Sequence, residues 1–297
     1  MPDRVAAAPS IATALTRAAA RLALAGVADP RREATRLWAA AAGDGMKPGD
    51  VWLRRDAAPP AAVAGRFWVA VARRARGVPF AYAVGRSGFR HLDLLVDRRA
   101  LIPRPETEGL VDLVLAWTKT GAGGEARRGG GLAADVGTGC GCLALSLAVE
   151  AAFDRVIAVE RSAAAAALAR ENVARVGPPV SVEVREGDLL APLLGERLRV
   201  LVANPPYLTL AEYATLDPAV RQYEPRDALV SGADGLAATR VLLAGGRALL
   251  EPGGLLALEL DERRAGETRA LAEAHGWSRA RVYDDLFGRP RFLLAAA

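Results

Sequence analysis

The stretch Leu132-Ala-Ala-Asp-Val-Gly-Thr-Gly-Cys-Gly141 decides the fold of this chain, because an apolar run passes directly into three alternating glycines. Glycine lets the backbone turn tightly and approach a ligand without a Cβ atom in the way. A helix-like segment over 141–152 follows at once. A strand, a glycine turn and a helix in this order are typical of the ligand-binding edge of an α/β sheet.

From residue 132 to the end, strand-like and helix-like segments alternate. The patterns predict strands at 132–136, 155–159, 180–185, 199–203 and 254–260, helices at 141–152, 163–176, 236–250 and 265–275, and two final apolar runs at 278–284 and 291–296. Such alternation predicts an α/β fold with a Rossmann-like, mostly parallel sheet covered by helices on both faces. A ligand would bind where the strand order reverses.

Upstream of this region, residues 10–76 have helical periodicity. Ser10 is a predicted cap for a helix to Leu24, Asp29-Pro30 opens a second helix, and Pro59-Pro60 opens a third that ends before Gly77. The period changes near residue 80, which predicts a β-hairpin with strands over 80–84 and 89–96. The Gly-rich stretch 121–131 is expected to be a flexible surface loop and an insertion.

These patterns predict three parts: a helical docking domain over 1–78, a hairpin linker over 79–98 and a larger α/β domain over 99–297. A chain of 297 residues with 52% hydrophobic and 25% charged residues is long enough for two folded domains. Residues 1–100 carry 17 Lys and Arg against 8 Asp and Glu, whereas the remainder is acidic. This division suggests two modules that face different partners.

Composition also excludes several classes of protein. The two cysteines, Cys140 and Cys142, cannot make a disulfide scaffold, and no His stands near them in sequence, so we expect no metal site. No apolar run reaches the ~18 residues that span a bilayer, and the first ten residues make a poor signal peptide. We therefore expect a cytoplasmic protein without membrane association. All but two of the 39 basic residues are Arg, a coding bias that makes the basic pI weak support for nucleic-acid binding.

The glycine spacing distinguishes between cofactor classes. A dinucleotide fingerprint that starts at Gly137 requires Gly or Ala where Cys142 stands. The pattern D-x-G-x-G-x-G over 135–141 instead resembles the S-adenosylmethionine loop of class I methyltransferases, in which the glycines admit the methionine portion of the cofactor. The resemblance implies cofactor contacts from Gly137, Thr138, Gly139, Cys140 and Gly141.

Two acidic positions extend this candidate cofactor site. Glu160 ends a predicted strand 23 residues after Gly137, where a carboxylate can accept hydrogen bonds from both ribose hydroxyls. Asp188 and Leu189 follow the next strand, where the Asp can accept from an adenine amino group and the Leu can line the ring pocket.

The most specific motif is Asn204-Pro205-Pro206-Tyr207, at the end of the fourth predicted strand. Two prolines in succession force the chain out of the sheet and hold their carbonyls in place. Asn204 offers a side-chain carbonyl, and Tyr207 offers a flat ring. Two acceptors and a stacking face can grip a planar NH2 group.

In combination, these motifs resemble one family over essentially the whole chain. Leu101-Ile-Pro-Arg-Pro-Glu-Thr-Glu108 is similar to the signature of protein-(glutamine-N5) methyltransferases, specifically the release-factor glutamine methyltransferases (HemK/PrmC family). Further matches lie at 77–82, 220–229, 253–259 and 285–292. The resemblance implies catalytic roles for Asn204, Pro205, Pro206 and Tyr207, and a supporting role for Arg104, Glu106 and Thr107. Glu160 stands where Asp is more usual, and Leu189 where some members place an aromatic residue.

The resemblance implies a monomeric enzyme that transfers a methyl group from S-adenosylmethionine to the side-chain amide N5 of a glutamine, leaving S-adenosylhomocysteine. The acceptor would be the Gly-Gly-Gln glutamine of class I peptide-release factors. Because an amide nitrogen is a poor nucleophile, the expected contribution of the site is orientation and electrostatics.

Three alternatives stay open at this point. A ribosomal-protein glutamine or an adenine amino group in DNA fits the same motif. The acidic C-terminal part and the lack of a groove-reading motif argue against DNA and against stable nucleic-acid binding. A non-catalytic cofactor-binding scaffold is a third possibility, but cofactor binding alone does not need Asn-Pro-Pro-Tyr.

Overall fold

The computed structural model describes residues 10–43, 45–120 and 130–297. The chain divides into two compact units, Met1–Gly85 and Arg86–Ala297. The predicted loop 121–131 lies outside the described residues except for its last two positions. None of the helices in the described ranges combines the length and the apolar character that a membrane span requires.

Within its described residues, the first unit consists of the helices α1 (Ile11–Leu24), α2 (Pro30–Ala42), α3 (Pro48–Leu53), α4 (Ala61–Arg74) and α5 (Phe80–Val84). The two predicted N-caps are confirmed, because Ser10 Oγ accepts from Thr13 N at 3.2 Å and Asp29 Oδ1 accepts from Arg32 N at 3.4 Å. The core of the unit contains an edge-on pair of aromatic rings, Trp38 and Phe67, with centroids 4.8 Å apart.

The prediction that residues 80–84 form a hairpin strand was wrong. Phe80–Val84 is a short helix with Pro79 before it and Gly85 after it. Proline pre-organises the start of a helix, and Gly85 has a φ of 76°, the left-handed conformation that ends one. The apolar run therefore belongs to a short helix, in which Tyr82 and Ala83 are buried.

The hairpin exists, but it begins later and belongs to the second unit. Strands β1 (Arg86–Phe89) and β2 (Leu92–Leu95) pair antiparallel, with Phe89 opposite Leu92. Arg90 lies in the turn with a φ of 51°. The predicted linker over 79–98 is thus split between a helix of the first unit and a hairpin of the second.

The second unit is built on a seven-stranded sheet in the order β5-β4-β3-β6-β7-β9-β8. Its strands are β3 (Leu132–Val136), β4 (Arg155–Glu160), β5 (Ser181–Glu186), β6 (Leu198–Ala203), β7 (Leu250–Glu259), β8 (Ser278–Asp284) and β9 (Pro290–Ala296). The first five run parallel to one another, and β9 runs antiparallel to them. The edge strand β8 pairs antiparallel with β9 and therefore runs in the same direction as the first five. The predicted mostly parallel sheet is confirmed.

Helices connect these strands and cover the sheet. They are α6 (Glu108–Thr120), α7 (Cys142–Glu150), α8 (Ala163–Val176), α9 (Leu210–Thr215), α10 (Pro218–Tyr223), α11 (Ala237–Leu249) and α12 (Ala265–Ala274). Every residue of β6 is buried, which requires cover on both faces of the sheet. The strand order reverses between β3 and β6, so the residues after these strands meet at one edge.

Candidate active site

A glycine turn joins β3 to α7 at the C-terminal edge of the sheet. Gly137, Gly139 and Gly141 have φ angles of 76°, 57° and 88°, a region that residues with a Cβ atom rarely adopt. The N–H groups of Gly137 and Thr138 both donate to the carbonyl of Val159 at 2.9 Å. The turn is therefore anchored to the neighbouring strand β4, and larger residues at its three glycines would strain it.

Asp135 lies beneath this turn and is 1% exposed. Its Oδ2 accepts from Thr138 Oγ1 at 2.6 Å and from Ala144 N at 3.0 Å, while Oδ1 is buried without a hydrogen-bond partner among the described residues. Burial raises the pKa of Asp135 to about 7; the two hydrogen bonds act against this, and the charge of Glu160 adds to it. Asp135 is part of the sequence motif, but its role in holding the turn was not predicted from the sequence.

Glu160 ends β4 beside the glycine turn and is half-buried. Its Oε2 accepts from Gly139 N and its Oε1 accepts from Ser162 N, each at 2.9 Å. An ionised carboxylate has about four acceptor positions, so two bonds to the backbone leave capacity for two hydroxyl donors. The carboxylate is thus held in place and still able to bind a ligand.

The Asp188-Leu189 pair follows β5 in a tight turn. A Cβ atom on Gly187 would lie 2.4 Å from Pro192 Cγ, so only glycine fits before the pair. Leu189 has a φ of 45°, unusual for a residue with a branched side chain. Asp188 is exposed and Leu189 is half-buried.

Asn204 follows β6, directly across the strand reversal from the glycine turn. Its Nδ2 donates to Thr107 Oγ1 at 3.1 Å. Thr107 is 2% exposed and directly precedes α6, which begins at Glu108. The predicted supporting residue Thr107 and the predicted catalytic residue Asn204 are therefore in direct contact.

The rest of the Asn-Pro-Pro-Tyr motif leaves the sheet as its prolines predict. Pro205 is buried, while Pro206 and Tyr207 are half-buried. Burial raises the pKa of the Tyr207 hydroxyl to about 12, and the nearby charge of Glu259 adds to this effect. Tyr207 is therefore a neutral ring with an intact hydroxyl at physiological pH.

Arg104 forms an ion pair that was not predicted from the sequence. Its Nη2 lies 2.7 Å from Oε1 of Glu224, whose side chain is 1% exposed. Oε2 of Glu224 accepts from Ile102 N at 3.2 Å. One buried carboxylate thus ties the segment that carries Arg104, Glu106 and Thr107 to the end of α10.

A second missed residue is Glu259, which ends β7 and is 2% exposed. Burial raises its pKa to about 7, and hydrogen bonding from Thr107 and Asn204 acts in the opposite direction. In the sequence, Glu259 is only a Glu at the end of an apolar strand. Many exposed residues without a function occupy the same kind of position, so the pattern does not single it out.

A cavity of about 890 Å³ brings seven of the predicted residues together. One wall contains Gly137, Gly139, Glu160, Asp188 and Leu189, and another contains Asn204 and Pro206. The cofactor loop and the Asn-Pro-Pro-Tyr motif thus open onto one space.

Three other predicted residues of the glycine turn do not line this cavity. Thr138 and Cys140 are buried, with the Thr138 hydroxyl bonded to Asp135. Gly141 contributes the start of α7. Cys140 and Gly141 shape the turn through their backbone and Thr138 also through its hydroxyl, and none of the three is among the residues that line the cavity within the described ranges.

The two cysteines are part of the same packed turn. Cys140 is buried, and its carbonyl accepts from Asn172 Nδ2 at 2.9 Å. A hydrogen bond with Cys140, together with burial, raises the pKa of the Cys142 thiol well above its usual value. Over the described part of the chain, no three His, Cys, Asp or Glu residues are grouped as a metal would require.

Comparison with known proteins agrees with this architecture. The family model of the PrmC N-terminal domain matches residues 13–85, and that of the Methyltransferase small domain matches residues 125–220. Among solved structures, a methyltransferase from Pyrococcus furiosus is similar with a TM-score of 0.50 and 20% identity, covering 70% of this chain and 90% of that one. The hMettl16 catalytic domain, solved with a MAT2A 3′UTR hairpin, gives a TM-score of 0.52 at 15% identity, covering 79% and 80%. These two likenesses concern the fold alone.

Several named relatives are similar to this chain over nearly its full length. Release factor glutamine methyltransferases from Moorella thermoacetica and Deinococcus radiodurans are 42% and 41% identical, each covering 95% of this chain and 96% of the relative. The protein of the same name from Cereibacter sphaeroides is 39% identical over 96% and 97%. The expected methyltransferase activity, with S-adenosylmethionine as methyl donor, is confirmed. The chain belongs to the release factor glutamine methyltransferase family.

Proposed function

We propose that the enzyme methylates the side-chain amide N5 of the glutamine in the Gly-Gly-Gln motif of class I peptide-release factors. The observation that carries the proposal is the contact between Asn204 and Thr107 at the cavity that also contains the glycine turn. A planar amide that enters this cavity meets Asn204 and Pro206, which line it together with residues of the glycine turn.

The residues around the glycine turn suit S-adenosylmethionine, which supplies an electrophilic methyl group on a sulfonium when bound. Glu160 has unused acceptor capacity for the two ribose hydroxyls. Asp188 can accept from the adenine amino group while Leu189 covers one face of the ring. The exposed backbone at Gly137 can meet the methionine portion without a Cβ atom between them, since space near that position is open.

The acceptor side contributes orientation. Oδ1 of Asn204 and the carbonyl of Pro205 each accept one hydrogen of the substrate NH2 group, and the Tyr207 ring stacks on its plane. This arrangement directs the nitrogen lone pair at the methyl group, and correct alignment of reacting groups accounts for a large part of enzymatic rate enhancement. The proton of the product can leave to water after transfer.

The first unit is assigned a docking role. The predicted docking domain over 1–78 falls within the first compact unit, which extends to Gly85. The excess of basic residues before residue 100 suits a protein acceptor with an acidic surface. We further propose that one copy of the chain is sufficient for activity.

A methyl-transfer assay with labelled S-adenosylmethionine tests the substrate. The wild-type enzyme should label an intact class I release factor and should not label the same factor with its Gly-Gly-Gln glutamine changed to alanine. Ribosomal proteins and duplex DNA serve as parallel acceptors. Labelling of either of these, or of the altered release factor, in place of the intact one would reject the proposed acceptor.

A further inference from the structure

Glu259 lies beside Asn204 because of the register of two parallel strands. Ala203 of β6 is paired with Leu258 of β7, so the residues that follow them, Asn204 and Glu259, emerge side by side at the edge of the sheet. Glu259 is 2% exposed. Its Oε2 is buried without a hydrogen-bond partner among the described residues. A buried carboxyl oxygen with no partner costs stability and calls for a functional explanation.

The two polar side chains that stabilise the Glu259 anion are Thr107 and Asn204. They are also bonded to each other, since Asn204 Nδ2 donates to Thr107 Oγ1. The hydroxyl of Thr107 can accept from Asn204 and still donate its own hydrogen to a carboxylate. The three side chains thus form one small cluster under the Asn-Pro-Pro-Tyr motif.

An asparagine amide can present either its oxygen or its nitrogen to a substrate. An ionised carboxylate only accepts hydrogen bonds, so it favours the rotamer in which Nδ2 faces Thr107 and Glu259. That rotamer leaves Oδ1 free to face the cavity. A protonated carboxyl could instead donate to Oδ1 and draw it away from the substrate.

We propose that Glu259 is a positioning residue for methyl transfer: as a carboxylate, it holds the amide of Asn204 with Oδ1 turned toward the substrate NH2 group. This inference rests on the proposed function of Asn204 as an acceptor for that group. It adds a residue that does not touch the substrate and acts through Asn204.

The charged and titratable surroundings of Glu259 come from several elements. Arg291 precedes Phe292, the residue that pairs with Glu259 in the sheet. The charge of Arg291 favours the Glu259 anion, whereas the charge of Glu106 disfavours it. Arg291 is shared, because its Nε also lies 3.4 Å from Asp285 Oδ2. Tyr207 stays neutral. Burial is the largest influence, and it places the pKa of Glu259 at about 7.

The test is single-turnover methylation of an intact release factor between pH 6 and pH 8.5. The wild-type rate should rise with pH through about 7 as Glu259 ionises. At pH 8, Glu259→Gln should lower the rate at least about tenfold, because misalignment of reacting groups has effects of this size or larger. Its KM for the release factor and its affinity for S-adenosylmethionine should stay unchanged. Glu259→Asp should recover part of the rate.

Thermal unfolding separates this role from a purely structural one. Because the folded pKa is raised, the contribution of Glu259 to stability is fully present below its usual pKa and is lost as the pH rises through about 7. Glu259→Gln should therefore unfold at a higher temperature than wild type at pH 8.5, although it is slower. Glu262→Gln, in the exposed turn that follows, is the matched control and should change neither property.

Three results would overturn the inference. The first is a folded Glu259→Gln enzyme whose rate is within about twofold of the wild-type rate. The second is a Glu259→Gln enzyme whose rate still rises with pH through about 7, as the wild-type rate does. If the Gln variant does not fold, a wild-type rate that is flat between pH 6 and pH 8 overturns it. A wild-type enzyme that is inactive on the release factor at every pH would instead reject the proposed function.

Discussion

Asn172 on α8 and Leu95 on β2 form a two-way hydrogen-bonded pair: Leu95 N donates to Asn172 Oδ1 at 2.7 Å, and Asn172 Nδ2 donates to Leu95 O at 3.0 Å. Nδ2 also donates to the carbonyl of Cys140 in the glycine turn at 2.9 Å. Asn172 is fully buried. One side chain thus joins the hairpin, a sheet-covering helix and the cofactor turn.

Asn172→Ala should destabilise the second unit and weaken cofactor binding together. Three hydrogen bonds are lost, two to the part-buried backbone of Leu95 and one to the buried carbonyl of Cys140, so we expect a loss of about 2–4 kcal/mol in unfolding free energy. Asn172→Asp should be at least as damaging, since a carboxylate would face two carbonyl oxygens. Urea unfolding and calorimetric titration measure the two effects. Trp277→Phe, which removes the buried bond to Leu243 O, is a control that should cost stability without changing cofactor affinity.

Glu160 provides the second prediction. Glu160→Ala should weaken S-adenosylmethionine binding by about 1.5–3 kcal/mol, because two hydrogen bonds to a charged group are lost. Glu186→Gln is a matched control, since Glu186 lies directly opposite Glu160 in the adjacent strand but does not line the cavity. Calorimetric titration should show a weaker affinity only for the first variant. Equal affinities would place the ribose elsewhere.

The long elements were predictable from the sequence because their local signals agree with their packing. The predicted bounds of β3 and α8 match the structure, and α8 has both a Ser162 cap and a Gly177 stop with a φ of 58°. The six-residue helix α3 was missed, since it is too short for helical periodicity to show. Phe80–Val84 was misassigned because five consecutive apolar residues fit either a strand or one helical turn. The flanking Pro79 and Gly85 decide for the helix.

The candidate site was predictable only where it is local in sequence. The glycine turn and Asn-Pro-Pro-Tyr are contiguous motifs, and the structure brings both to one cavity. The contact between Thr107 and Asn204 spans 97 positions, and the placement of Glu259 depends on strand register. Neither follows from local pattern, because both are set by how the strands pair.

The docking role of the first unit gives a salt-dependent prediction. Arg31 and Arg32 are exposed at the start of α2. Changing both to Ala should lower kcat/KM for the intact release factor about two- to tenfold at low salt, with cofactor affinity unchanged, since rim charges act mainly on association. The difference should shrink as salt is added. Arg279→Ala with Arg281→Ala, exposed on β8, should have no such effect; an equal loss there would indicate a general charge effect.

Asp135 gives a prediction about pH. Its folded pKa is about 7, above the usual 3.8, so its contribution to stability is present below pH 3.8 and is lost as the pH rises through about 7. The side chain in Asp135→Asn cannot ionise. Between pH 5 and pH 8.5, the unfolding free energy of this variant should therefore fall by roughly 2–4 kcal/mol less than that of the wild type. Chemical denaturation across this range measures the difference. Parallel pH profiles for the two proteins would contradict the assignment of a raised pKa to this residue.

The Asn-Pro-Pro-Tyr motif makes the sharpest prediction about turnover. Asn204→Ala removes an acceptor that holds the substrate NH2 group, and loss of a preorganised hydrogen bond typically costs about 10²–10³ in rate. Binding of the whole release factor should change little, because it is spread over a wide surface. Asn204→Asp keeps an acceptor but places a second carboxylate next to Glu259, so it should also be slow.

Changes at Tyr207 should follow a graded order. Tyr207→Phe keeps the ring that stacks on the amide and should be the mildest change; Tyr207→Ala removes the ring and should be slower. The expected order of activity is wild type, Tyr207→Phe, Tyr207→Ala, with Asn204→Ala lowest or near it. Single-turnover transfer with saturating S-adenosylmethionine measures the series directly. An Asn204→Ala enzyme within about threefold of wild type lies far outside the range for a lost contact to the reacting group, and the acceptor site would then have to be sought away from this motif.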